Sequence, residues 1–361
     1  MVQFPHRTIA QSTPFAFLVH FRKEIRKDLA CYHPRLGSVP EFVCRGIFEG
    51  TNMPALKWGG VRDQLLDREL GTNQLIPLSA ETMIHRNPAK ARRKVESTLD
   101  KLVRKGVGIA GLGALTAPLM KGGLLLKGRK DIGVTNGNAF TAVVMYQAVV
   151  KLLIRNPDLA RRVAIVGASG SVGSCLARQI VRRGGVDEVV LIARNMERLK
   201  RLRSELKGIN PDVRLVIGND IGAVRSAQLT VLLTASADTL IKSEHLGTDA
   251  VILDGTQPRN TSPTLLLERP DVTVVDGGIV KASGIGLSGG GLGLPRDHYF
   301  ACFSECVLLS LDGHRGHFSV GNPTLEHVDH ITSVARRFQH YGFELAPFLS
   351  FGKPLVSPYN S

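Results

Sequence analysis

The stretch Val163-Ala-Ile-Val-Gly167-Ala-Ser-Gly170-Ser-Val-Gly173-Ser-Cys-Leu-Ala177 decides the fold. Four apolar residues read as a short strand, and three glycines at intervals of three lead from it into a helical segment. In that setting the first glycine permits a tight turn, the second lets the backbone approach a pyrophosphate, and the third lets helix and strand pack closely. Free N–H groups at the helix start can then bind phosphate. We therefore predict a dinucleotide-binding loop. Its predicted contact residues are Gly167, Ala168, Ser169, Gly170, Ser171, Val172 and Gly173.

Downstream of this loop, strand-length apolar segments alternate with helical ones. The predicted strands are 163–166, 189–193, 229–234, 251–253 and 272–275. This alternation is typical of a doubly wound parallel sheet. We predict an α/β fold, a Rossmann-type sheet with a smaller N-terminal α/β substrate domain and C-terminal helices. Asn156-Pro157-Asp158 interrupts a long apolar helix, which sets predicted domains at 1–155, 156–294 and 295–361.

The second strand of such a sheet ends where the ribose of a dinucleotide is recognised. An acidic residue there would bind both ribose hydroxyls, but this sequence has Arg194-Asn195, with Arg198 one turn later. A guanidinium group suits a 2′-phosphate. The pattern favours NADP(H) over NAD(H), the alternative being two solvated arginines.

Later strand ends also face the cofactor side of the predicted sheet. Small or polar residues follow these strands and would leave room for the adenosine and nicotinamide halves: Thr234, Ala235, Ser236, Asp254, Gly277 and Gly278. Asp254 suits a turn-forming role equally well.

A cysteine-bearing helix is predicted from Asp297, a possible N-cap, to Gly313, a possible end. Phe303 and Val307 lie on one face, and Cys302 and Cys306 on the opposite face, so the helix should be packed on both sides. That would put Cys302 between the nucleotide sheet and the N-terminal domain. Its position near a helix N-terminus favours thiolate. From the residues alone, an inert buried cysteine is the alternative for Cys302, and we expect Cys306 to serve packing.

Composition limits the classes of partner. The net charge is +15, from 46 Lys+Arg against 31 Asp+Glu, yet only 6% of residues are aromatic. Basic residues without interleaved aromatics do not provide a base-stacking surface, so we predict no nucleic-acid partner and favour an acidic protein. Binding of nucleic acid would show as affinity that falls steeply with salt.

Cysteine usage and apolar patterning bear on the compartment. The five cysteines are odd in number and match neither a zinc site nor a disulfide framework, so no metal is predicted. We see no signal-peptide pattern and no uninterrupted apolar stretch of membrane-spanning length. The expectation is a reduced, cytoplasmic protein without a transmembrane segment.

The N-terminal third gives weaker signals. A strand is predicted over 15–20, an irregular course with strand-length apolar pieces such as 42–47 follows to about residue 85, and 89–105 has a helical pattern with a basic face. A strand then runs into the glycine-rich turn that ends at Thr116. Thr135-Asn-Gly-Asn138 opens the long apolar helix.

Several motifs together resemble one family. They are Tyr299-Phe-Ala-Cys302-Phe-Ser-Glu305-Cys, Asp312-Gly-His, His317-Phe-Ser319, Gly111-Leu-Gly-Ala-Leu-Thr116, Thr135-Asn-Gly-Asn138 with Thr141, Val166-Gly-Ala-Ser-Gly170 and Ala193-Arg194-Asn195. In these the chain resembles the long-chain acyl-[acyl carrier protein] reductases of cyanobacteria. Asp254-Gly-Thr-Gln-Pro-Arg-Asn260 is also similar to a loop of glutamyl-tRNA reductases, a more distant group.

The resemblance implies a reaction and a partner. It implies that NADPH reduces a fatty acyl thioester to an aldehyde, and that the acyl group passes through a thioester on Cys302. The donor would be an acidic acyl carrier protein or acyl-CoA, docked on basic residues within 86–105, and an aldehyde-consuming enzyme is a possible further partner.

Other residues are candidates for the chemistry around the predicted acyl-enzyme. Thr116, Asn138 and Thr141 are candidate donors to a tetrahedral oxyanion. His298 is a candidate proton carrier, with a capping or surface role as the alternative. Two rival functions remain open: a quinate/shikimate-type reductase of a small carbonyl compound, which needs no cysteine, and a non-catalytic NADP-binding protein.

Overall fold

The computed structural model describes residues 12–21, 24–235, 240–289 and 293–355. The chain divides into two compact units. Unit 1 contains residues 1–137, 282–321 and 330–343, and unit 2 contains 138–281, 322–329 and 344–361. Each unit is built around its own large sheet.

Unit 1 has a six-stranded sheet. Its strands, in spatial order, are Ile285–Gly289, Leu56–Asp63, Arg68–Ser79, Phe15–Phe21, Ile109–Leu112 and Gly133–Thr135. The last four are mutually parallel, and the first two are antiparallel to their neighbours. Leu18, Ile76 and Leu112 pack on one face against Val95 and Leu99 of the helix Pro88–Arg104. The opposite face carries Phe15 and Phe17, which contact Phe303 of the cysteine helix.

The helices of unit 1 include three that were not predicted: Ile25–Tyr32, Glu41–Phe48 and Thr116–Leu119. Residues 42–47, predicted to be strand-like, lie in the helix Glu41–Phe48, and the region predicted to be irregular contains the strands Leu56–Asp63 and Arg68–Ser79. The helices assigned to this unit are Ile25–Tyr32, Glu41–Phe48, Pro88–Arg104, Thr116–Leu119 and Ala301–Leu311. The last of these is the cysteine helix.

Unit 2 contains an all-parallel sheet of six strands. In spatial order they are Thr273–Asp276, Val251–Asp254, Leu229–Leu232, Arg162–Val166, Glu188–Ile192 and Arg214–Gly218. The first half of the sequence runs outward from the central strand to one edge, and the second half to the other edge, which is the doubly wound Rossmann order. The predicted fold class is confirmed.

Alternation along the central strand explains why both faces of this sheet are covered. Val163 and Ile165 point into one apolar cluster, whereas Ala164 and Val166 point into another. The helices of this unit are Asn138–Arg155, Ser171–Arg183, Met196–Ile209 and Thr264–Glu268. The helix Leu325–Arg337 has residues in both units, and a short antiparallel pair joins Ile279–Lys281 to Glu344–Leu345.

The helix Asn138–Arg155 is long and apolar enough to cross a bilayer by length and composition. Half of it is buried within the protein, and Met145, Val149 and Leu152 pack in the core of unit 2. A core helix meets the same criteria, so its hydropathy is accounted for by packing.

The units differ from the predicted boundaries. The helix Asn138–Arg155, predicted to belong to the N-terminal domain, packs with the helix Ser171–Arg183 in unit 2. The cysteine helix, predicted to lie in a separate C-terminal segment, packs on the N-terminal sheet. Tertiary burial of the long helix, and not the Asn156-Pro157 break, places the division at residue 137.

Candidate functional site

The glycine-rich loop of unit 2 has its shape dictated by contacts. Gly167 has φ of +85°, and a Cβ there would lie 2.4 Å from the carbonyl oxygen of Leu233. A Cβ on Gly173 would lie 2.3 Å from the carbonyl oxygen of Gly167. Both positions therefore need glycine. The helix Ser171–Arg183 begins after Gly170, and no side chain caps it in the described structure. Its first N–H groups have no helical acceptors, so this end suits an anion.

The second strand ends next to that loop, since the carbonyl oxygen of Ile192 accepts from the N–H groups of Gly167 and Ala168. Arg194 and Arg198 are exposed, and neither forms an ion pair with a described carboxylate. The side-chain oxygen of Asn195 accepts from the backbone N–H of Arg198 at 2.9 Å and so caps the helix Met196–Ile209. Asn195 is thus used as a cap, while both guanidinium groups are available to a phosphate.

Asp254 organises the loop that follows its strand. Its carboxylate accepts from the backbone N–H groups of Thr256, Asn260 and Thr261 and from the hydroxyls of both threonines. The side chain is 3% exposed. The structure therefore gives Asp254 the turn-forming role, in place of the predicted cofactor contact, because its oxygens already hold five hydrogen bonds. Thr234 donates to the side chain of Asn260 in the same loop.

The small residues at the later strand ends allow close packing of other parts of the protein, in addition to leaving space for a ligand. A Cβ on Gly277 would lie 2.7 Å from the sulfur of Met145. The room predicted for a cofactor at Gly277 is therefore occupied by the helix Asn138–Arg155. Gly278 has φ of +71°, and a Cβ there would lie 3.8 Å from Cγ2 of Thr141. Ala235 is exposed, and Ser236 lies outside the described residues.

Two of the candidate oxyanion donors belong to unit 2. Asn138 is the first residue of the long helix, and its side-chain amide donates to the hydroxyl of Ser171 at 2.9 Å, at the start of the phosphate-loop helix. Thr141 lies one turn further, near Gly278. Within unit 2 these residues border the glycine-rich loop and a strand-end loop.

The third candidate donor, Thr116, lies in unit 1 and is fully buried. Its hydroxyl donates to the carbonyl oxygen of Gly113 at 2.6 Å. The single hydroxyl hydrogen is therefore engaged in closing the turn, which differs from the predicted role. The prediction for Thr116 rested on the glycine-rich turn before it. In the structure this turn leads into the helix Thr116–Leu119.

The cysteine helix begins later than predicted. It starts at Ala301, its N-cap is Phe300 with no side-chain cap, and Asp297 has φ of +63° outside the helix. Asp297 therefore does not cap it. The helix ends at Leu311, and Gly313 has φ of +67° just beyond, as a helix-ending glycine does. Cys302 is thus the second residue of the helix.

Cys302 lies against a glycine turn from the N-terminal sheet. Gly137 has φ of +75°, and a Cβ there would lie 2.3 Å from Cβ of Cys302. Cys302 is partly exposed, whereas Cys306, one turn later, is fully buried. A Cβ on Gly111 would lie 3.0 Å from the sulfur of Cys306. Cys306 is therefore packed into the sheet, in agreement with its expected packing role.

The electrostatic environment of Cys302 differs from the sequence prediction. Burial of the sulfur raises the pKa of the Cys302 thiol to about 12, the negative charge of Glu305 raises it further, and the N–H of Phe303 lowers it. Desolvation thus outweighs the helix-terminus effect that was expected to favour thiolate. At neutral pH the resting group is a thiol, so its attack requires removal of a proton.

Glu305 and Thr135 form a polar contact that sequence reasoning did not assign. Both side chains are 0% exposed, and the Thr135 hydroxyl donates to a carboxylate oxygen of Glu305. The same hydroxyl oxygen accepts from the N–H of Gly137 at 3.3 Å. This contact ties the turn 135–137 to the cysteine helix. The available signal was Thr135-Asn-Gly137 together with Glu305, three residues after the cysteine.

Asn136 holds the other side of that turn. Its amide donates to the carbonyl oxygens of Gly122 and Gly321 at 3.0 and 2.9 Å, and its oxygen accepts from the hydroxyl of Ser319. The turn beside Cys302 is therefore fixed from both sides.

His298 is placed just before the cysteine helix, in the strand His298–Phe300. Its Nδ1 lies 2.8 Å from the carbonyl oxygen of Arg296, a contact that requires Nδ1 to carry the hydrogen. This contact is local to the segment before the helix and does not link His298 to Cys302.

The basic helix Pro88–Arg104 is partly used for structure. Lys94 is 6% exposed and donates to the carbonyl of Met53, and its pKa is lowered by burial. Lys90 and Arg92 donate to the carbonyls of Glu49 and Leu119. The exposed cations of this helix that form no ion pair with a described carboxylate are Arg93, Lys101 and Arg104.

Arg259 and Asp276 are further residues that sequence reasoning did not assign. The guanidinium group forms two hydrogen bonds, of 2.8 and 2.9 Å, with the carboxylate, which is 6% exposed. The carboxylate also accepts from the N–H groups of Phe351 and Gly352. This pair joins three loops at one edge of the sheet in unit 2.

The strand order and the uncapped glycine-rich helix start define unit 2 as a Rossmann fold of the kind found in nicotinamide-dependent oxidoreductases. A family model described as polysaccharide biosynthesis protein matches residues 163–242.

Two curated relatives match a larger part of the chain. It is 28% identical, over 280 residues, to the long-chain acyl-[acyl-carrier-protein] reductase of Synechococcus elongatus. The match covers 73% of this chain and 79% of the Synechococcus protein. It is 26% identical over 301 residues to aminotransferase PigE of a Serratia species. That match covers 78% of this chain but 33% of the Serratia protein. The chain thus spans about a third of the length of the Serratia relative.

Among solved structures, quinate dehydrogenase from Corynebacterium glutamicum in complex with NAD matches with a TM-score of 0.35 and 13% identity, over 68% of this chain and 81% of that one. The strand order and the glycine-rich helix start of unit 2, together with the distant similarity to a reductase, agree with an oxidoreductase that uses a nicotinamide cofactor.

Proposed function

We propose that this protein uses NADPH to reduce a fatty acyl thioester to an aldehyde, through an acyl-enzyme on Cys302. The observation that carries the proposal is the placement of Cys302. This partly exposed residue lies in the first turn of a helix with its sulfur desolvated against the glycine turn at Gly137, and a fully buried cysteine follows one turn later. The distant similarity to an acyl-[acyl-carrier-protein] reductase supports the same reaction.

The first step is exchange of a thioester. The sulfur of Cys302 bonds to the acyl carbon, the bond from that carbon to the carrier sulfur breaks, and the thiol proton passes to the departing carrier sulfur. Because burial raises the pKa of Cys302 to about 12, this proton transfer accompanies attack and no stable thiolate precedes it. The first-turn N–H groups of the helix are suited to stabilise the negative carbonyl oxygen.

The second step is reduction of the bound acyl group. When bound, NADPH supplies a hydride to the carbonyl carbon. The uncapped helix start after Gly170 fits the pyrophosphate, and Arg194 and Arg198 fit a 2′-phosphate. The bond between the acyl carbon and the Cys302 sulfur then breaks and the product leaves as an aldehyde. The released Cys302 thiolate afterwards takes up one proton from solvent and returns to the thiol. Holding the carbonyl on a fixed sulfur keeps it positioned while bulk water is excluded.

The carrier is proposed to be an acidic acyl carrier protein, with acyl-CoA as the alternative donor. The net charge of +15 favours encounter with an acidic partner. Arg93, Lys101 and Arg104 are exposed on the helix Pro88–Arg104 and form the proposed docking face, whereas Lys90, Arg92 and Lys94 are engaged internally. A soluble, cytoplasmic location fits this partner.

The test is covalent trapping. The protein is incubated with a long-chain acyl-carrier thioester without NADPH, and its intact mass is measured. We expect one acyl increment, lost in Cys302→Ala and kept in Cys306→Ala. Addition of NADPH should remove the increment and give one aldehyde per acyl group. NADPH oxidation without any acyl increment, on a small carbonyl substrate, would favour a reductase that needs no cysteine and would refute the proposal.

A further inference from the structure

Asn73 carries a buried side-chain amide that is unpaired among the described residues. The side chain is 0% exposed, and within the part of the chain that the structure describes neither its amide nitrogen nor its oxygen has a partner. It lies in the middle of the strand Arg68–Ser79 in unit 1. Buried polar groups in proteins are almost always hydrogen-bonded, so an amide unpaired at both ends indicates a missing partner.

The sheet register fixes the direction of Asn73. Asn73 is in parallel register with Phe17, and Phe17 is in parallel register with Gly111. A Cβ on Gly111 would lie 2.6 Å from the ring of Phe17 and 3.0 Å from the sulfur of Cys306. Partners in parallel register point to the same face, so Asn73 lies on the sheet face that carries the cysteine helix.

The neighbours of Asn73 on that face are apolar or lack side chains. The Phe15 ring covers Gly71, since a Cβ there would lie 2.5 Å from it, and Gly59 is the antiparallel partner of Asn73. Phe17 meets Phe303 edge-on at 5.4 Å. Two residues further along the strand, on the same face, Leu75 packs into a second apolar cluster. Asn73 is therefore a single amide between two apolar clusters, one of which includes Phe303, the residue that follows Cys302.

We propose that Asn73 binds a hydrogen-bonding group of the thioester substrate and so positions the acyl donor for Cys302. The inference rests on the proposed function. A carboxamide offers two donors and an acceptor, and it matches a group that both accepts and donates. Two parts of such a substrate have this chemistry: a secondary amide of the pantetheine arm, shared by acyl carrier protein and coenzyme A, or a hydroxyl on the acyl chain. A saturated hydrocarbon chain has neither.

The test uses Asn73→Leu, which has a similar shape and no polar atoms. If the amide serves the substrate, the variant should fold with an unchanged or higher Tm, because it removes an unpaired buried group. Its KM for the acyl thioester should rise about tenfold, with a smaller change in kcat, because a substrate hydrogen bond is lost. Thr230→Val is the matched control: Thr230 is also buried and unpaired, but it lies in the sheet of unit 2, so KM should not change.

Substrate arms separate the two sources. Acyl groups are presented on coenzyme A, on N-acetylcysteamine and on ethanethiol, which has no amide, and each is compared with its 3-hydroxyacyl counterpart. A KM penalty in Asn73→Leu that disappears with the ethanethiol thioester identifies the arm amide. A penalty confined to hydroxyacyl substrates identifies the chain hydroxyl. Either result supports the proposal.

Two results would overturn it. A lower Tm in Asn73→Leu with equal KM on every substrate would mean that the amide is structural or binds only water. Equal KM and equal Tm would mean that it has no role. In both cases wild-type acylation of Cys302 would still stand. If the wild-type protein itself accepts no acyl group from any thioester, the proposed function fails first, and the role of Asn73 fails with it.

Discussion

The glycine-rich loop of unit 2 and the cysteine turn of unit 1 are built on the same principle but over different distances along the chain. In each, a glycine with positive φ lies against atoms where a Cβ cannot fit: Gly167 against Leu233, and Gly137 against Cys302. The loop is made mainly by the contiguous residues 167–173. The turn at Cys302 depends on Thr135 and Glu305, which are 170 positions apart in sequence.

This difference determined what could be predicted. The loop, its helix and the parallel sheet follow a local pattern of apolar residues and glycines, and the structure contains them. The Asp254 carboxylate accepts five hydrogen bonds from one loop, and the composition of that loop does not reveal them. The contact between Thr135 and Glu305 and the burial of Asn73 depend on how distant segments pack, and no periodicity indicates them.

Misplaced elements have a similar explanation. The cysteine helix was expected to start at Asp297 because aspartate is a good N-cap, but residues 298–300 form a strand and the helix starts at Ala301. Tertiary pairing overrode local preference. The thiol of Cys302 was likewise expected to ionise easily from its place at the helix start, whereas burial raises its pKa to about 12.

The largest expected effect removes chemistry from one region and leaves the other intact. Cys302→Ala should lower aldehyde formation by about 10³-fold or more, because no acyl-enzyme can form. Binding of NADPH should be unchanged in a fluorescence titration, since the glycine-rich loop is untouched. Cys306→Ala is the control and should retain acylation. Full activity in Cys302→Ala would refute the cysteine mechanism.

The second effect tests the two glycines as a pair. Gly137→Ala should cost about 2–4 kcal/mol of unfolding free energy, since it adds both a clash and backbone strain, and should impair acylation more than NADPH binding. Gly173→Ala should do the reverse, because its Cβ would lie 2.3 Å from the Gly167 carbonyl oxygen. Denaturant unfolding and nucleotide titration measure both.

Controls for that pair are available in each unit. At Gly128 and Gly208 an added Cβ would meet no non-neighbouring atom of the described residues within 4 Å, so alanine at either position should leave both acylation and NADPH binding unchanged. Equal damage to both functions by Gly137→Ala and Gly173→Ala would mean that the two regions do not act separately.

The third effect sharpens the nucleotide side. Arg194→Ala with Arg198→Ala should weaken NADPH binding by about 10- to 100-fold, through loss of charge-assisted hydrogen bonds to the 2′-phosphate. Binding of NADH should change little. The control is Arg203→Ala, because Arg203 is exposed on the helix Met196–Ile209, which also carries Arg198. Equal losses for NADPH and NADH would contradict the assignment.

The smallest effect is a slope on the cysteine side. Below its pKa of about 12, the thiolate fraction of Cys302 rises about tenfold with each pH unit. Alkylation of Cys302 by iodoacetamide should therefore accelerate by about this factor per unit from pH 7 to 9. Mass mapping of the labelled peptide measures it. A plateau already at pH 7 would mean that the thiol ionises early.

The interleaved path of the chain has a consequence for biosynthesis. Unit 2 receives most of its residues as one run, 138–281, whereas unit 1 is completed by residues 282–321 and 330–343. During translation the Rossmann sheet emerges whole, while the earlier sheet still waits for its edge strand and the helix that covers Phe15 and Phe17. A nascent chain of which residues up to 281 have left the ribosome would therefore hold one foldable half and one with exposed aromatic surface, the kind of nascent chain that chaperones engage.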